Sequence, residues 1–259
     1  MLKMKQRTDN QTWLDTMKNI ESIVDRPALD DLVNKTVAEI KAKTDGKKCA
    51  FAYSAGKDSI VLAKICEMAG ITDSLMGVCE LEYPAFINWA KKNKPKGCEI
   101  INTGQDIEWL AKHLSVLFPQ NSSLAARWFS MVQHTAQRKY FKEHDLDILL
   151  LGRRKADGNF VGRGDNIYTD GKGCTRYSPL SEWRHEDILA FIHYYKLKLP
   201  PIYKWHNGFV CGTHPWPARQ WTGSIENGWK EVYDIDPSIV ENAADYIESA
   251  AAFLKGVRA

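Results

Sequence analysis

Apolar residues fall along this chain in two rhythms, and each change of rhythm marks an element. Over residues 9–45 the spacing is helical: Trp13, Leu14, Met17 and Ile20 form one set and Leu29, Leu32, Val33, Val37 and Ile40 a second, with Pro27 between them. Asp45-Gly46 closes that stretch with turn chemistry. From Cys49 onward, short apolar runs alternate with helix-period segments. The pattern predicts strands over 49–53, 75–81, 99–102 and 147–151. It predicts helices over 59–69, from Pro84 through Phe86, Ile87 and Trp89, over 106–117 and over 123–144. Gly70 is a natural stop for the first of these. Such alternation predicts an α/β fold with a mostly parallel, doubly wound sheet and helices on both faces. In sheets of that kind, ligands sit outside the carboxyl ends of the strands.

After Gly152 the rhythm lapses. Arg153, Arg154, Lys155, Asp157 and Arg163 are interleaved with Gly158, Gly162, Gly164, Gly171 and Gly173, which reads as one long mobile loop. Helical spacing resumes at Glu186-Asp187, whose charges suit a helix N-terminus, and runs through Ile188, Leu189, Phe191 and Ile192. An aromatic and proline-rich loop extends to Trp221. Asp236-Pro237 then opens an amphipathic helix with Val240, Ala243, Ile247 and Leu254 inward. The expected organisation is a helical extension over 1–45, a central domain over 46–220 and a helical extension over 221–259. There are no internal repeats.

Composition changes this picture little. The 259 residues are 44% apolar and 26% charged, ordinary values for a globular chain. No apolar run reaches the roughly 18–20 residues that would span a bilayer. The basic Met1–Arg7 segment leads into polar residues rather than an apolar core, so a cytoplasmic protein is expected. A net charge of +3 does not argue for nucleic acid, and the basic run over 91–96 reads as a solvated loop. Six cysteines, at 49, 66, 79, 98, 174 and 211, include no C-x-x-C pair. No zinc or iron–sulfur signature results, and no metal-ligand set is predicted.

The candidate chemistry lies where the first strand meets the first helix of the central domain. Ser54-Ala55-Gly56-Lys57-Asp58-Ser59 is a small polar turn between them, a place where backbone N–H groups and a helix N-terminus can hold a phosphate. It is not a Walker A loop, since Asp58 follows Gly56-Lys57, and it lacks G-x-G-x-x-G. It resembles the S-G-G-K-D-S pyrophosphate-binding loop of the PP-loop ATP pyrophosphatases, with Ala55 in place of one glycine. Further along, Gly152-Arg153-Arg154-Lys155-Ala156-Asp157 with Arg163 resembles the G-x-R-x-x-E-S…R segment of the phosphoadenosine phosphosulfate (PAPS) reductase family. The stretches Ser178-Pro179-Leu180-Ser181-Glu182-Trp183, Leu199-Pro200-Pro201-Ile202-Tyr203 and Asn207-Gly208-Phe209, then Arg219, are similar to that family's later motifs. The resemblance spans about residues 46–220.

Carried over residue by residue, the resemblance implies that Ser54, Ala55, Gly56 and Ser59 cradle a phosphate or sulfate. Lys57 would add charge and Asp58 would hold the loop. Arg154 and Arg163 would bind phosphate oxygens and Arg219 would close the same site. Each arginine, taken alone, also fits a surface ion pair. Glu80, ending the second strand, would contact ribose or adenine, or else stay solvated. The family's reductases use a cysteine in a tail E-C-G-L-H motif. Here no cysteine follows Cys211, which stands in Val210-Cys211-Gly212-Thr213-His214, ahead of Arg219. Cys211 is therefore either a nucleophile or a loop thiol among aromatic residues.

Three functions remain open. One is ATP-dependent adenylylation with pyrophosphate release, serving sulfur transfer or nucleic-acid modification, with Mg²⁺ accompanying ATP. The second is a cluster-free, thiol-dependent PAPS reductase. The third is a nucleotide-binding regulator without catalysis. Expected partners are a nucleotide and an acceptor, namely a sulfur carrier, thioredoxin or nucleic acid. An iron–sulfur cluster and a membrane are not expected, and self-association as a homo-oligomer is left open.

Overall fold

Strand alternation decides which side chains meet on each face of the sheet. The structure, a computed structural model, describes residues 8–258, so Met1–Arg7 lies outside the described residues. The strands are β1 (Cys49–Ala52), β2 (Ser74–Val78), β3 (Glu99–Asn102), β4 (Ile148–Leu150), β5 (Ile167–Thr169) and β6 (Thr175–Tyr177). They form one sheet in the order β3-β2-β1-β4-β6-β5, parallel except for the β5–β6 pair. The chain steps outward from β1 to β3 and returns on the other side of β1 with β4. The order therefore reverses between β1 and β4, and a crevice opens at their carboxyl ends.

Most of the helices begin where the sequence supplies a cap or a proline. Asp9 caps α1 (Asn10–Lys18) by accepting from Thr12 N–H at 2.8 Å, and Asp25 with Pro27 opens α2 (Arg26–Thr44). Then follow α3 (Lys57–Ala69), α4 (Pro84–Asn93), α5 (Ile107–Ala111) and α6 (Ser122–Trp128). A π-helical turn, Phe129–His134, joins α6 to α7 (Thr135–Glu143). The chain finishes with α8 (His185–Tyr194), the single turn α9 (Gly208–Cys211), α10 (Ile225–Ile235), α11 (Pro237–Ala244) and α12 (Glu248–Arg258). Among the described residues no helix is long and apolar enough to cross a membrane.

Two apolar clusters lie on the two faces. Phe51, Tyr53, Met76, Val78, Ile148 and Leu150 pack with residues of α2, α3 and α8. Ala50, Leu75, Leu149 and Leu151 pack instead with Ala136 and Tyr140 of α7. Helix α7 comes so close to β2 that a Cβ on Gly77 would stand 2.8 Å from Ala136 Cβ. That contact requires glycine.

Three expectations shift. The 152–173 stretch is not all loop, because β5 pairs antiparallel with β6 around a turn held by Asp170, which accepts from Lys172 N–H and Cys174 N–H. A three-residue strand with polar outward positions gives no periodic signal. The helix over 106–117 stops at Ala111, where N–H groups of Lys112 and His113 tighten onto the carbonyls three residues back, and resumes as a short turn over Leu114–Val116. At the C-terminus, three helices replace one. Ser224 caps α10, and Asp236 separates it from α11 by accepting from Ser238 N–H.

Candidate functional site

The turn over 54–59 sits at the carboxyl end of β1, in the crevice where the strand order reverses. Ala55 has φ 54° and is fully buried, so the chain takes a left-handed step there that a glycine would make more easily. Gly56 follows in extended conformation as the cap of α3. The Ser59 hydroxyl ties the turn together: it accepts from Ser54 N–H at 3.0 Å, donates to Gly56 O at 2.9 Å and lies 3.2 Å from Ser54 Oγ. The N–H groups of Ala55, Gly56 and Ser59 donate to no acceptor among the described residues, whereas Lys57 N–H donates to the Tyr203 hydroxyl at 2.7 Å. Unaccepted donors at a helix N-terminus face a region of positive potential.

Lys57 points behind the loop rather than out of it. It is 3% exposed, its Nζ lies 2.7 Å from Asp58 Oδ2, and it stands 5.3 Å from the centre of the Trp13 ring. Trp13 of α1 also stacks on Phe209 and meets His185 edge-on. The N-terminal helix thereby forms the back wall of the site, which the sequence reading did not anticipate.

Arg154 is wholly buried in the same network. Its Nε lies 2.8 Å from Asp58 Oδ1 and its Nη2 3.0 Å from Asp157 Oδ2; it also reaches Trp183 O and His185 Nδ1. Burial, with Arg154 beside it, holds the His185 imidazole below its ordinary pKa and hence neutral. Gly152, just after β4, makes this convergence feasible: a Cβ there would stand 3.2 Å from the carbonyl of Asp58.

The chain after α9 approaches the turn at Thr213. Thr213 Oγ1 lies 3.1 Å from where a Cβ on Gly56 would stand. Cys211 ends α9, its N–H donating to Asn207 O at 2.8 Å. Arg219 stands on the Cys211 side, with Nη2 2.7 Å from Glu231 Oε2 and Nε 2.8 Å from the same oxygen. Burial works against its charge, but Tyr83, Cys211 and Glu231 together push its pKa up. Ser54, Ala55, Gly56, Lys57, Asp58, Ser59 and Arg154 are thus brought together, with Cys211 and Arg219 at the margin. Arg163 is exposed and makes no hydrogen bond or ion pair with this group. Glu80 is exposed and accepts from the Asn102 side chain. One neighbour of Glu80 escaped the sequence reading: Glu82, whose Oε2 is buried without a partner and whose pKa burial pushes up to about 8. Among the described residues no group of three His, Cys, Asp or Glu side chains could hold a metal ion.

The family model for the phosphoadenosine phosphosulfate reductase domain matches residues 48–211. A search of curated proteins gave no match. Among solved structures, a phosphoadenylyl-sulfate (PAPS) reductase from Candida auris, in a phosphate complex, is similar over 70% of this chain and 92% of its own, at 15% identity and TM-score 0.51. An NMN synthetase from Francisella tularensis matches over 66% of this chain and 71% of its own, at 14% identity and TM-score 0.46. An NH3-dependent NAD synthetase from Campylobacter jejuni matches over 87% and 96%, at 14% identity and TM-score 0.46. The reductase shares the α/β fold and its parallel sheet. The chain belongs to the phosphoadenosine phosphosulfate reductase domain family, within the PP-loop ATP pyrophosphatase superfamily.

Proposed function

We propose that the protein is an ATP-using enzyme that activates an acceptor by adenylylation and releases pyrophosphate. One observation carries this reading: the unaccepted N–H groups of Ala55, Gly56 and Ser59 open at the N-terminus of α3, in the crevice between β1 and β4. Donors so arranged suit the β- and γ-phosphates of ATP. The acceptor's nucleophile attacks the α-phosphorus, the bond to the bridging oxygen of the β-phosphate breaks, and pyrophosphate leaves. The loop's part is to position the phosphates and to stabilise the negative charge gathering on the leaving group. Lys57 contributes its charge from behind, fixed by Asp58 and Trp13.

Mg²⁺ accompanying ATP would neutralise phosphate charge. Both Asp58 oxygens face cations of the chain, and among the described residues no group of three His, Cys, Asp or Glu side chains could hold a metal ion. The protein residues are a poor cage for the ion, and no step is assigned to it. The setting of the reaction is sulfur transfer or nucleic-acid modification, with a sulfur carrier, thioredoxin or nucleic acid as the second partner. Cys211 favours adenylylation over reduction by its placement, because it is held in α9 within a folded segment that continues into α10–α12.

A second reading has one specific support. Thr213 Oγ1 approaches Gly56, and Cys211 stands two residues before it in the chain, which supports a thiol-dependent PAPS reductase. Purified protein supplied with ATP or PAPS in turn separates the two. Pyrophosphate release from ATP, stimulated by acceptor and unaffected by Cys211→Ser, is the expected result. Sulfite release from PAPS that disappears in Cys211→Ser would overturn it.

A further inference from the structure

Gly152, Arg153 and Arg154 continue the alternation of β4 beyond its last paired residue. Ile148 and Leu150 face the α3 and α8 side, whereas Leu149 and Leu151 face α7. Gly152 then turns to Asp58 and Arg154 follows it, each on the α3 side. Arg153 turns the other way. Its Nη2 lies 2.7 Å from His134 Nε2, at the end of the π-helical turn, and its Nη1 donates to the Tyr168 hydroxyl of β5 at 2.8 Å.

The two neighbouring arginines differ in how their charge is met. Arg154 has two carboxylates, Asp58 and Asp157. Arg153 is half-buried, binds only the neutral acceptors His134 and Tyr168, and forms no ion pair among the described residues. Among the described residues, the guanidinium groups of Arg153, Arg176 and Arg138 act on His134 against the carboxylate of Asp170. Asp170 is already bound to Arg176 at 3.0 Å. This excess of positive charge is partly desolvated, one residue from the glycine that touches the nucleotide turn. A guanidinium held by neutral groups keeps its fork available for an oxyanion.

We propose that Arg153, His134 and Tyr168 form an oxyanion subsite, separate from the 54–59 turn, that takes a phosphate or phosphate-ester group carried by the second substrate. The assignment to the second substrate rests on the reading of the turn as the nucleotide site; the subsite itself does not. Burial and the three arginines hold His134 down to about pKa 4, so at neutral pH its Nε2 accepts from Arg153 and adds no further charge. A bound anion would offset the arginines and raise that pKa.

Inorganic phosphate is titrated calorimetrically into full-length protein, first alone and then with the turn saturated by a non-hydrolysable ATP analogue. Phosphate should still bind in the presence of the analogue. Arg153→Met should weaken that binding about tenfold or more, with partial rescue in Arg153→Lys. In wild-type protein, the NMR titration of the His134 ring should move to higher pH when phosphate is added, a change that a purely structural Arg153 would not produce. Phosphate excluded by the analogue would assign the subsite to the nucleotide and overturn the proposal. Unchanged affinity in Arg153→Met, or an unmoved His134 titration, would also overturn it. Failure of the analogue to bind would refute the nucleotide reading instead, and Arg153→Met would then be judged on phosphate alone.

Discussion

Arg154 Nε lies 2.8 Å from Asp58 Oδ1, and this pair closes the base of the turn instead of presenting a cation to its mouth. The arginine that the family resemblance assigns to phosphate oxygens is fully enclosed and bonded to two carboxylates and a carbonyl. Its contribution is therefore to hold the first turn of α3 against the end of β4. Removing one partner of such a buried pair leaves an uncompensated charge and costs about 3–5 kcal/mol. Arg154→Met should lower the urea unfolding free energy by about 3 kcal/mol. A variant as stable as the parent but unable to bind nucleotide would show that Arg154 acts on the ligand directly.

Two glycines of the site should differ in tolerance. A methyl on Gly56 would meet the Thr213 hydroxyl at 3.1 Å and Ser54 Oγ at 3.3 Å, both side-chain atoms that can turn aside. A methyl on Gly152 would meet backbone, Asp58 C and O at 3.2 Å and Ser59 N at 3.4 Å. That backbone carries the anion donors, and it can yield only by moving the loop. Gly152→Ala should weaken nucleotide binding about tenfold, close to 1.4 kcal/mol, with Gly56→Ala affected less. Equal losses measured by calorimetry would mean that the loop moves freely.

The alternation of β4 explains how far the sequence could be read. Its apolar run ended at Gly152, and the parity of that run sets Gly152, Arg153 and Arg154 on their faces. The turn over 54–59 was legible because its type of residue at a strand–helix junction has one evident use. The partner of Arg154 was not legible, because Asp58 and Asp157 are distant in the chain or hidden in a glycine-rich stretch. The role of Trp13 was also invisible: its helical spacing marks it as buried without saying that Lys57 lies beneath it. Short length and mixed polarity hid β5, which exists through its pairing with β6; α10, eleven residues long and capped by Ser224, was missed although Trp229 and Val232 mark its buried face.

Stability should fall as pH rises from about 6.5 toward 8, and Glu82 is the cause. The residue is only partly covered, but its Oε2 has no hydrogen-bond partner and no contact with solvent. Burial pushes its pKa up to about 8, against the pull of the Cys79 backbone N–H. An unfolded glutamate titrates near 4.3. Between these values the native state holds the proton and the unfolded state does not, so this carboxyl's contribution is lost as pH rises toward 8. His134, lowered to about 4, and His185, also lowered, act with opposite sign, removing stability as pH falls below about 6.5. Glu82→Gln should therefore flatten the decline between about pH 6.5 and 8 and steepen the gain that the histidines give between about pH 4.3 and 6.5. Thermal unfolding across that range tests this, and an unchanged slope would place the alkaline loss elsewhere.

Tyr203 offers a test of whether the turn changes partners when an anion arrives. Its hydroxyl accepts the N–H of Lys57 at 2.7 Å, so the first donor of α3 is already taken while its neighbours Gly56 and Ser59 are open. Tyr203→Phe removes the acceptor and leaves a buried donor unmatched, a loss of about 1–2 kcal/mol in the free protein. A phosphate held by the adjacent N–H groups could accept that donor in place of the tyrosine. Ligand binding to the native state stabilises it in proportion to the logarithm of its affinity. The deficit of Tyr203→Phe should accordingly shrink at saturating nucleotide, with a tighter dissociation constant than the parent. If the deficit is the same with and without nucleotide, the Lys57 N–H points away from the anion and the cradle consists of the other three donors alone.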